Sequence, residues 1–332
     1  MSKVTMKDIA EMAGVSKATV SMVMNKKDSS ISNETRNRIL KIAKKMSYIP
    51  NSIARSLSTK KSGTIGIILP DITNPFFSEM ARAVEDEAER LDYNLMICNT
   101  DNDIHKEEKY IQLLISKLID GIIFMSGGKS NESITLLKNN NVPFVLVDRY
   151  IEGYKDDYGV FSLNNQGIKD GIKYLYEKGM RKIVFVKGSE NLEVSKQRLD
   201  GYIDAMKNYG IYNEKYIFEG DFNVKGGIIA TEKIIGTFNN LDAILYSNDM
   251  MALGGMKILL RNGYKIPNDI SVIGFDNIHI SAVIEPELTT IAQPIYKMGE
   301  KACSILINVI NGEIPTEKQV YFKTNLIVRG TA

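Results

Sequence analysis

The sequence predicts an α/β protein: an N-terminal all-α helix-turn-helix headpiece joined by a hinge helix to two doubly wound α/β lobes. Two short helical patterns broken by a glycine-containing turn open the 332-residue chain, and apolar strand patterns alternating with amphipathic helices fill the remainder. Charge divides at the same place. Residues 1–61 hold 13 Lys+Arg against 4 Asp+Glu, a net of +9, whereas the whole chain is only +2, so residues 62–332 carry a net of −7. A basic head on an acidic body is the asymmetry expected where one end meets nucleic acid.

Thr5 with Asp8 three positions on is an N-cap pair, Asp standing in for the stronger Glu. Ile9, Met12 and Ala13 recur at i, i+3, i+4 and give the first helix its apolar stripe. Gly14-Val15-Ser16 ends it: glycine tolerates the positive φ of a tight turn, and Ser16 can cap the next helix. The second helix turns Val20 and Val23 inward and leaves Lys17, Ala18, Thr19 and Ser21 along its exposed N-terminal half. Such a helix can lie in the major groove of DNA. An ordinary helical hairpin shares the spacing but not the coincident positive charge. Ser32 opens a third helix with the stripe Ile39, Ile42, Ala43 and Met46, closing a headpiece over 1–49.

YIPNSIARSLSTKKSG, 48–63, reads as a connector, with a hinge helix and linker at 50–61. Pro50 can start a helix, but only Ile53, Ala54 and Leu57 are there to bury, so it is too short to be stable alone. From Gly63 the runs TIGIIL, NLMIC, GIIFM and FVLV are separated by helical stripes such as Phe77, Met80, Ala81, Val84, Ala88, Leu91. After about residue 160 the alternation resumes with VFSL, KIVFV, AILYS and SVIGF. Strands apolar on both faces imply parallel sheets covered by helices on both sides, and such sheets bind ligands beyond the carboxyl ends of their strands.

Composition narrows the function. Apolar content of 44% and charged content of 25% are those of a soluble globular protein. No apolar run is long enough for a transmembrane helix, and residues 1–30 lack the apolar core of a signal peptide, so a cytoplasmic protein without membrane contact is expected. Cys98 and Cys303 lie far apart in apolar segments and read as core residues. Two His residues, far apart, do not make a metal site, and Gly128-Lys129-Ser130 lacks the earlier Gly of a phosphate loop because Ile123 stands there. No cofactor is expected, and no constellation supports catalysis.

KDIAEMAGVSKATVS in the headpiece, YIPNSIARSL in the hinge, and LPDITNPFF, DGIIFM, VLVDR, RLDGYIDAM, SNDMMALGG, IPNDISVIGFDN and LTTIAQP in the body occur in one order. In these the chain resembles the LacI/GalR family of bacterial transcriptional repressors, along essentially its whole length. The resemblance implies a body like the periplasmic sugar-binding proteins, whose chain crosses between lobes three times. Lobe 1 would then span about 62–160 plus 294–322, and lobe 2 about 161–293 plus 323–332. It also implies a homodimer on double-stranded operator DNA; the chain ends at Ala332 with no room for the tetramerising helix of some relatives.

On the DNA side the resemblance implies contacts from Thr5, Ser16, Lys17, Ala18, Thr19, Ser21 and Asn25, and from Asn51, Ala54, Arg55 and Leu57 in the hinge. Lys17 and Ala18 stand where the family varies with operator sequence; Lys17 can donate to guanine O6 or N7, or to a phosphate. Leu57 matches a Leu that wedges a base step in the minor groove, the alternative being packing on Ile53. Met22 departs from the family, which usually carries Arg there, and this leaves the operator open.

In the body Asn74, Phe76, Phe77, Asp148, Arg149, Arg198, Asn248 and Asp276 fall at strand ends or helix starts, with Phe222 and Gln293 in connecting segments. Carboxylate, guanidinium and amide groups suit sugar hydroxyls, which both donate and accept, and aromatic rings stack on a sugar's C–H faces. Core packing or helix capping accounts for any one of them alone. As a set they resemble the ribose-binding proteins and ribose repressors, which implies a small sugar effector, ribose or a similar aldose. Purine-responsive relatives share the Arg of RLxGY, and LPDIT and DGIIFMSG resemble the carbon-catabolite regulator that answers to a phosphorylated partner protein.

Overall fold

The computed structural model describes residues 4–25, 28–49, 61–125, 132–148 and 157–332. It divides into two compact units, Met1–Ser62 and Gly63–Ala332. The hinge residues Asn51, Ala54, Arg55 and Leu57, and Arg149 of the body, lie outside the described residues.

In the first unit α1 (Met6–Ala13), α2 (Lys17–Met24) and α3 (Asn33–Lys45) form a three-helix cluster. Thr5 and Asp8 close a capping box, the Thr5 N–H donating to the Asp8 carboxylate at 2.8 Å. Gly14 ends α1 at φ 64°, where a side chain would be strained, and Ser16 accepts from the Thr19 N–H to start α2. Ile9, Ala10, Ala13, Val20, Val23, Ile39 and Ala43 make the core. One stripe residue is corrected: Met12 is 55% exposed and Ala10 is buried in its stead. The two alanines let α1 approach its neighbours closely, and the bulkier side chain turns to solvent.

The second unit holds two six-stranded sheets. The first contains β1 (Thr64–Leu69), β2 (Asn94–Asn99), β3 (Gly121–Phe124), β4 (Phe144–Val147), β5 (Gly159–Ser162) and β11 (Gln319–Phe322), in the spatial order β11-β5-β4-β3-β1-β2, all parallel. Helices α4 (Pro75–Arg90), α5 (Ile104–Ser116), α6 (Glu132–Asn139) and α11 (Ile295–Ile310) cover it. The second contains β6 (Ile183–Lys187), β7 (Ile217–Glu219), β8 (Ala243–Tyr246), β9 (Ser271–Asp276), β10 (Thr289–Ala292) and β12 (Asn325–Ile327), in the order β12-β10-β9-β8-β6-β7. Only β12 runs antiparallel, against β10. Helices α7 (Asn164–Glu177), α8 (Glu193–Asn208), α9 (Val224–Thr237) and α10 (Asp249–Arg261) cover it.

The apolar runs form strands, but VFSL does not open the second series. Its residues form β5 of the first sheet, pairing with β4 and β11. Phe161 fills the first lobe's core beside Phe144 and Leu146, so the chain crosses over only after Ser162. It returns ahead of α11, whose Ile295, Met298 and Leu306 pack against Met80 and Val84 of α4, and crosses again between β11 and β12. In each sheet the strand order reverses beside the first-formed strand, at β1/β3 and at β6/β8. A crevice opens at the carboxyl ends there.

Helices α9 and α10 meet backbone to backbone. A Cβ on Gly227 would stand 2.1 Å from the Met251 carbonyl oxygen, and one on Gly254 2.2 Å from that of Val224. Gly236, later in α9, has no atom within 4 Å of its Cβ position. Gly227→Ala is expected to lower stability by about 1–3 kcal/mol, whereas Gly236→Ala raises it by up to about 1 kcal/mol, as read by urea denaturation.

Candidate functional site

The headpiece presents α2. Lys17 and Ala18 are exposed on its first turn and Ser16, also exposed, caps it, while Val20 and Val23 anchor its inner face. Thr19 and Ser21 are only half-exposed. The Thr19 and Ser16 hydroxyls lie 2.9 Å apart, and Asn25 at the helix end donates its amide to the Ser21 carbonyl at 2.8 Å. Thr5 is exposed and committed to its capping box. Met22 is 37% exposed on the same helix.

The second unit has a cleft of about 410 Å³ at the carboxyl ends of both sheets, lined by loops following β1, β2 and β4 of one lobe and β6 to β9 of the other. Asn74, Phe76, Phe77, Asp148, Arg198, Phe222, Asn248 and Asp276 all line it. Phe76 and Phe77 meet edge to face, centroids 5.1 Å apart. Gln293 does not line the cleft; it stands behind Asp276, donating Nε2 to Oδ1 at 2.7 Å, with its own Oε1 unpaired among the described residues. Two of the amides also cap helices: Asn74 accepts from the Phe76 N–H to start α4, and Asn248 accepts from the Met251 N–H to start α10.

Arg198 is the centre of the polar set and only 3% exposed. Its Nε donates to Asn164 at 2.8 Å and its NH1 to the Ser247 carbonyl at 2.6 Å, with the Asp276 carboxylate 3.8 Å away. The guanidinium lies 3.8 Å over the Phe275 ring and 5.8 Å from that of Phe222. Burial pushes the Asp276 carboxyl well above the usual range. Arg198 opposes that shift, and the nearby Asp249 and Asp148 charges add to it. Asp148, Phe222 and Asp276 have φ of 55°, 52° and 116°, left-handed conformations that strain non-glycine residues and collect at ligand clamps.

Two buried residues escaped the sequence reading. Asn164 orients Arg198. Asp249 accepts from the Ile278 N–H at 3.0 Å, the Ser281 hydroxyl at 2.8 Å and the Thr290 hydroxyl at 2.5 Å. Its Oδ1 occupies the space a Cβ on Gly274 would take. A glycine inside the apolar strand SVIGF was the available signal of that close approach. Both cysteines are buried and burial raises their thiols, Cys98 to about 11 and Cys303 to about 12, so neither is a nucleophile at neutral pH. Among the described residues no helix is long and apolar enough to cross a membrane and no acidic, His or Cys cluster fits a metal ion.

A helix-turn-helix unit on a two-lobed body with a polar, aromatic-walled cleft is the build of a ligand-responsive transcriptional regulator. Residues 5–51 match the lacI family of bacterial regulatory proteins, and residues 172–332 match the periplasmic binding protein-like domain. The ribose operon repressor of Halalkalibacterium halodurans is 36% identical over 327 residues, 98% of this chain and 96% of that protein. Among solved structures, the lac repressor dimer bound to operator and the anti-inducer ONPF aligns with a TM-score of 0.90 at 25% identity, covering 99% of each chain. A LacI family regulator from Enterococcus faecium with bound ribose aligns with a TM-score of 0.73 at 28% identity, covering 81% of this chain and 98% of that one. The chain belongs to the lacI family of bacterial regulatory proteins.

Burial raises the Asp249 carboxyl to about 6, against four donated hydrogen bonds, from the Thr290 and Ser281 hydroxyls and the Ile278 and Asn277 N–H groups, that pull it down. A folded value above the unfolded one stabilises the fold fully below about pH 4, and this contribution is lost as pH rises through about 6. Relative to Asp249→Asn, the native protein is therefore expected to gain up to about 3 kcal/mol as pH falls from 6 to 4, measured by urea denaturation across that range.

Proposed function

We propose that the protein is an operator-binding repressor of carbohydrate genes, acting in the cytoplasm as a dimer, whose effector is a small sugar, ribose or a similar aldose. The buried Arg198–Asp276 pair, set among Asn248, Asp148 and three Phe rings in one cleft, is the observation that carries the effector reading. Such a site offers donors and acceptors for hydroxyls and ring faces for C–H surfaces. The ribose-bound relative supports the same ligand class. Sugar binding favours one arrangement of the lobes. It can bias DNA binding only by its differential affinity for the two arrangements, about 1–3 kcal/mol of coupling. The outcome proposed is release of DNA.

In the headpiece, Lys17 reads a base edge, flanked by Ser16, Ala18, Thr19, Ser21 and Asn25. Thr5 and the hinge residues Asn51, Ala54 and Arg55 contact DNA alongside, and Leu57 is the minor-groove wedge. With a net of +9 in residues 1–61, contacts to roughly 6–10 phosphates make affinity fall about 10³–10⁵-fold between 50 and 200 mM salt, measured by fluorescence anisotropy. Lys17→Ala shifts preference among operator variants. Equal weakening on every sequence would make it a phosphate contact instead.

Titration calorimetry with D-ribose, 2-deoxyribose, galactose and hypoxanthine tests the effector. Ribose is expected to bind, with loss of a hydroxyl costing up to about 10⁴-fold because buried polar groups are left unpaired. Arg198→Ala and Asp276→Ala abolish the heat and the DNA response while operator affinity stays near native. Silence with ribose and tight binding of hypoxanthine replaces the sugar with a purine.

A further inference from the structure

We propose that Asn164 is a positioning residue that transmits effector binding to the chain crossings between the lobes, holding the Arg198 guanidinium with one end of its amide and the end of β5 with the other. The proposal rests on the cleft being the effector site and holds for whichever small molecule fills it.

Asn164 is buried to 1% exposure and is the first residue of α7, separated from β5 of the first lobe by Leu163 alone. Its Oδ1 accepts from Arg198 Nε at 2.8 Å, and its Nδ2 donates to the Ser162 carbonyl and to Gln197 Oε1, each at 3.3 Å. A guanidinium has donors only, so the amide oxygen must face Arg198 and the NH2 group must face the two acceptors. One side chain thus connects a cleft-lining cation of the second lobe to the main chain of the first. The other polar partners described for Arg198, the Ser247 carbonyl and Asp276, belong to the second lobe.

The surroundings give this connection little slack. Gly201, three residues after Arg198 on α8, lies against the start of α7: a Cβ there would stand 2.5 Å from the Asn165 carbonyl oxygen. On α7 itself a Cβ at Gly167 would stand 2.5 Å from Thr324 Oγ1, in the third crossing, and 2.8 Å from Ile291 Cγ2 of β10. The Leu163 N–H donates to the Phe322 carbonyl at 2.9 Å, so the chain at the first crossing is bonded to the chain entering the third. The first turn of α7 therefore meets the helix of Arg198, the third crossing and β10 at contact distance. A ligand that shifts Arg198 pulls through Asn164 on a turn packed against two crossings, which gives that ligand different affinities for the two lobe arrangements.

The test uses the full chain. Titration calorimetry reads effector affinity, and fluorescence anisotropy reads operator affinity with and without saturating effector; the ratio of the two operator affinities is the coupling. Native protein is titrated first with D-ribose, galactose and hypoxanthine, and the compound that binds serves as the probe for the variants. Asn164→Ala is expected to weaken effector binding at least about tenfold. Its coupling is expected to fall from roughly 5–150-fold in the native protein to within about twofold of unity. Asn164→Asp keeps an acceptor for Arg198 but loses the donor to the Ser162 carbonyl, so effector affinity recovers while the coupling stays lost. Gln197→Ala, at a half-exposed position, removes one acceptor of the same amide and is expected to lower the coupling about threefold. A residue that only supports the fold would weaken effector binding and leave the coupling at saturation native. That result in Asn164→Ala, or native coupling in Asn164→Asp, overturns the proposal. Native protein that binds a probe without any change in operator affinity, or binds none, overturns the effector reading and this proposal with it.

Discussion

A guanidinium buried to 3% exposure has to be surrounded on every side, and most of the second lobe's architecture meets at Arg198 to do so. The helix carrying it starts at the end of β6. Its partners come from the first residue of α7, the loop after β8, and the last two residues of β9. Removing Asp276 takes away the counter-charge, and removing Asn164 leaves the Nε–H without its acceptor, in a low-dielectric setting. The four elements are thus fixed to one another at the edge of the cleft.

The carboxylates behind that surface tie it to the first lobe. Asp249 at the head of α10 holds the Ile278 N–H, and Ile278 is buried in the core cluster of the first lobe beside Met80 and Met298. Asp276, two residues earlier, faces Arg198. The stretch from the last residue of β9 to Ile278 therefore carries a cleft-lining carboxylate at one end and an interlobe packing residue at the other. Left-handed backbone at Asp276 and Asn277 sets the direction of both. The cleft wall and the core of the neighbouring lobe are thus joined by three consecutive residues.

Much of this was legible in the chain. Fully apolar runs such as TIGIIL and AILYS need both faces covered, so they declare parallel strands without reference to anything distant. Edge strands do not: β7 and β12 are only partly buried, and nothing local separates their short sequences from loop. VFSL was placed in the wrong series because periodicity reports a strand but not its partner, and Phe161 finds its neighbours in β4 and α11's sheet by long-range packing. Met12 shows a related limit. Helical spacing marks a face, and the width of the contact, set by Ala10 and Ala13, decides which side chains it keeps. At the cleft, strand-end positions named eight of the lining residues, since topology places the strand ends at one edge. Asn164 and Asp249 stayed hidden because their importance lies in what they touch.

The triple crossing of the chain bears on how the molecule is made. β11 and α11 complete the first sheet's lobe and β12 the second's, yet all three are drawn from the final forty residues. During synthesis neither lobe has its full complement of elements until that last segment has left the ribosome, even though β1 to β5 emerged long before. Both lobes then become complete almost together, with only Lys323 and Thr324 between their closing strands. The headpiece core, by contrast, is drawn from three helices that all lie within the first 45 residues. A nascent chain thus carries a complete headpiece core well before it carries either complete lobe.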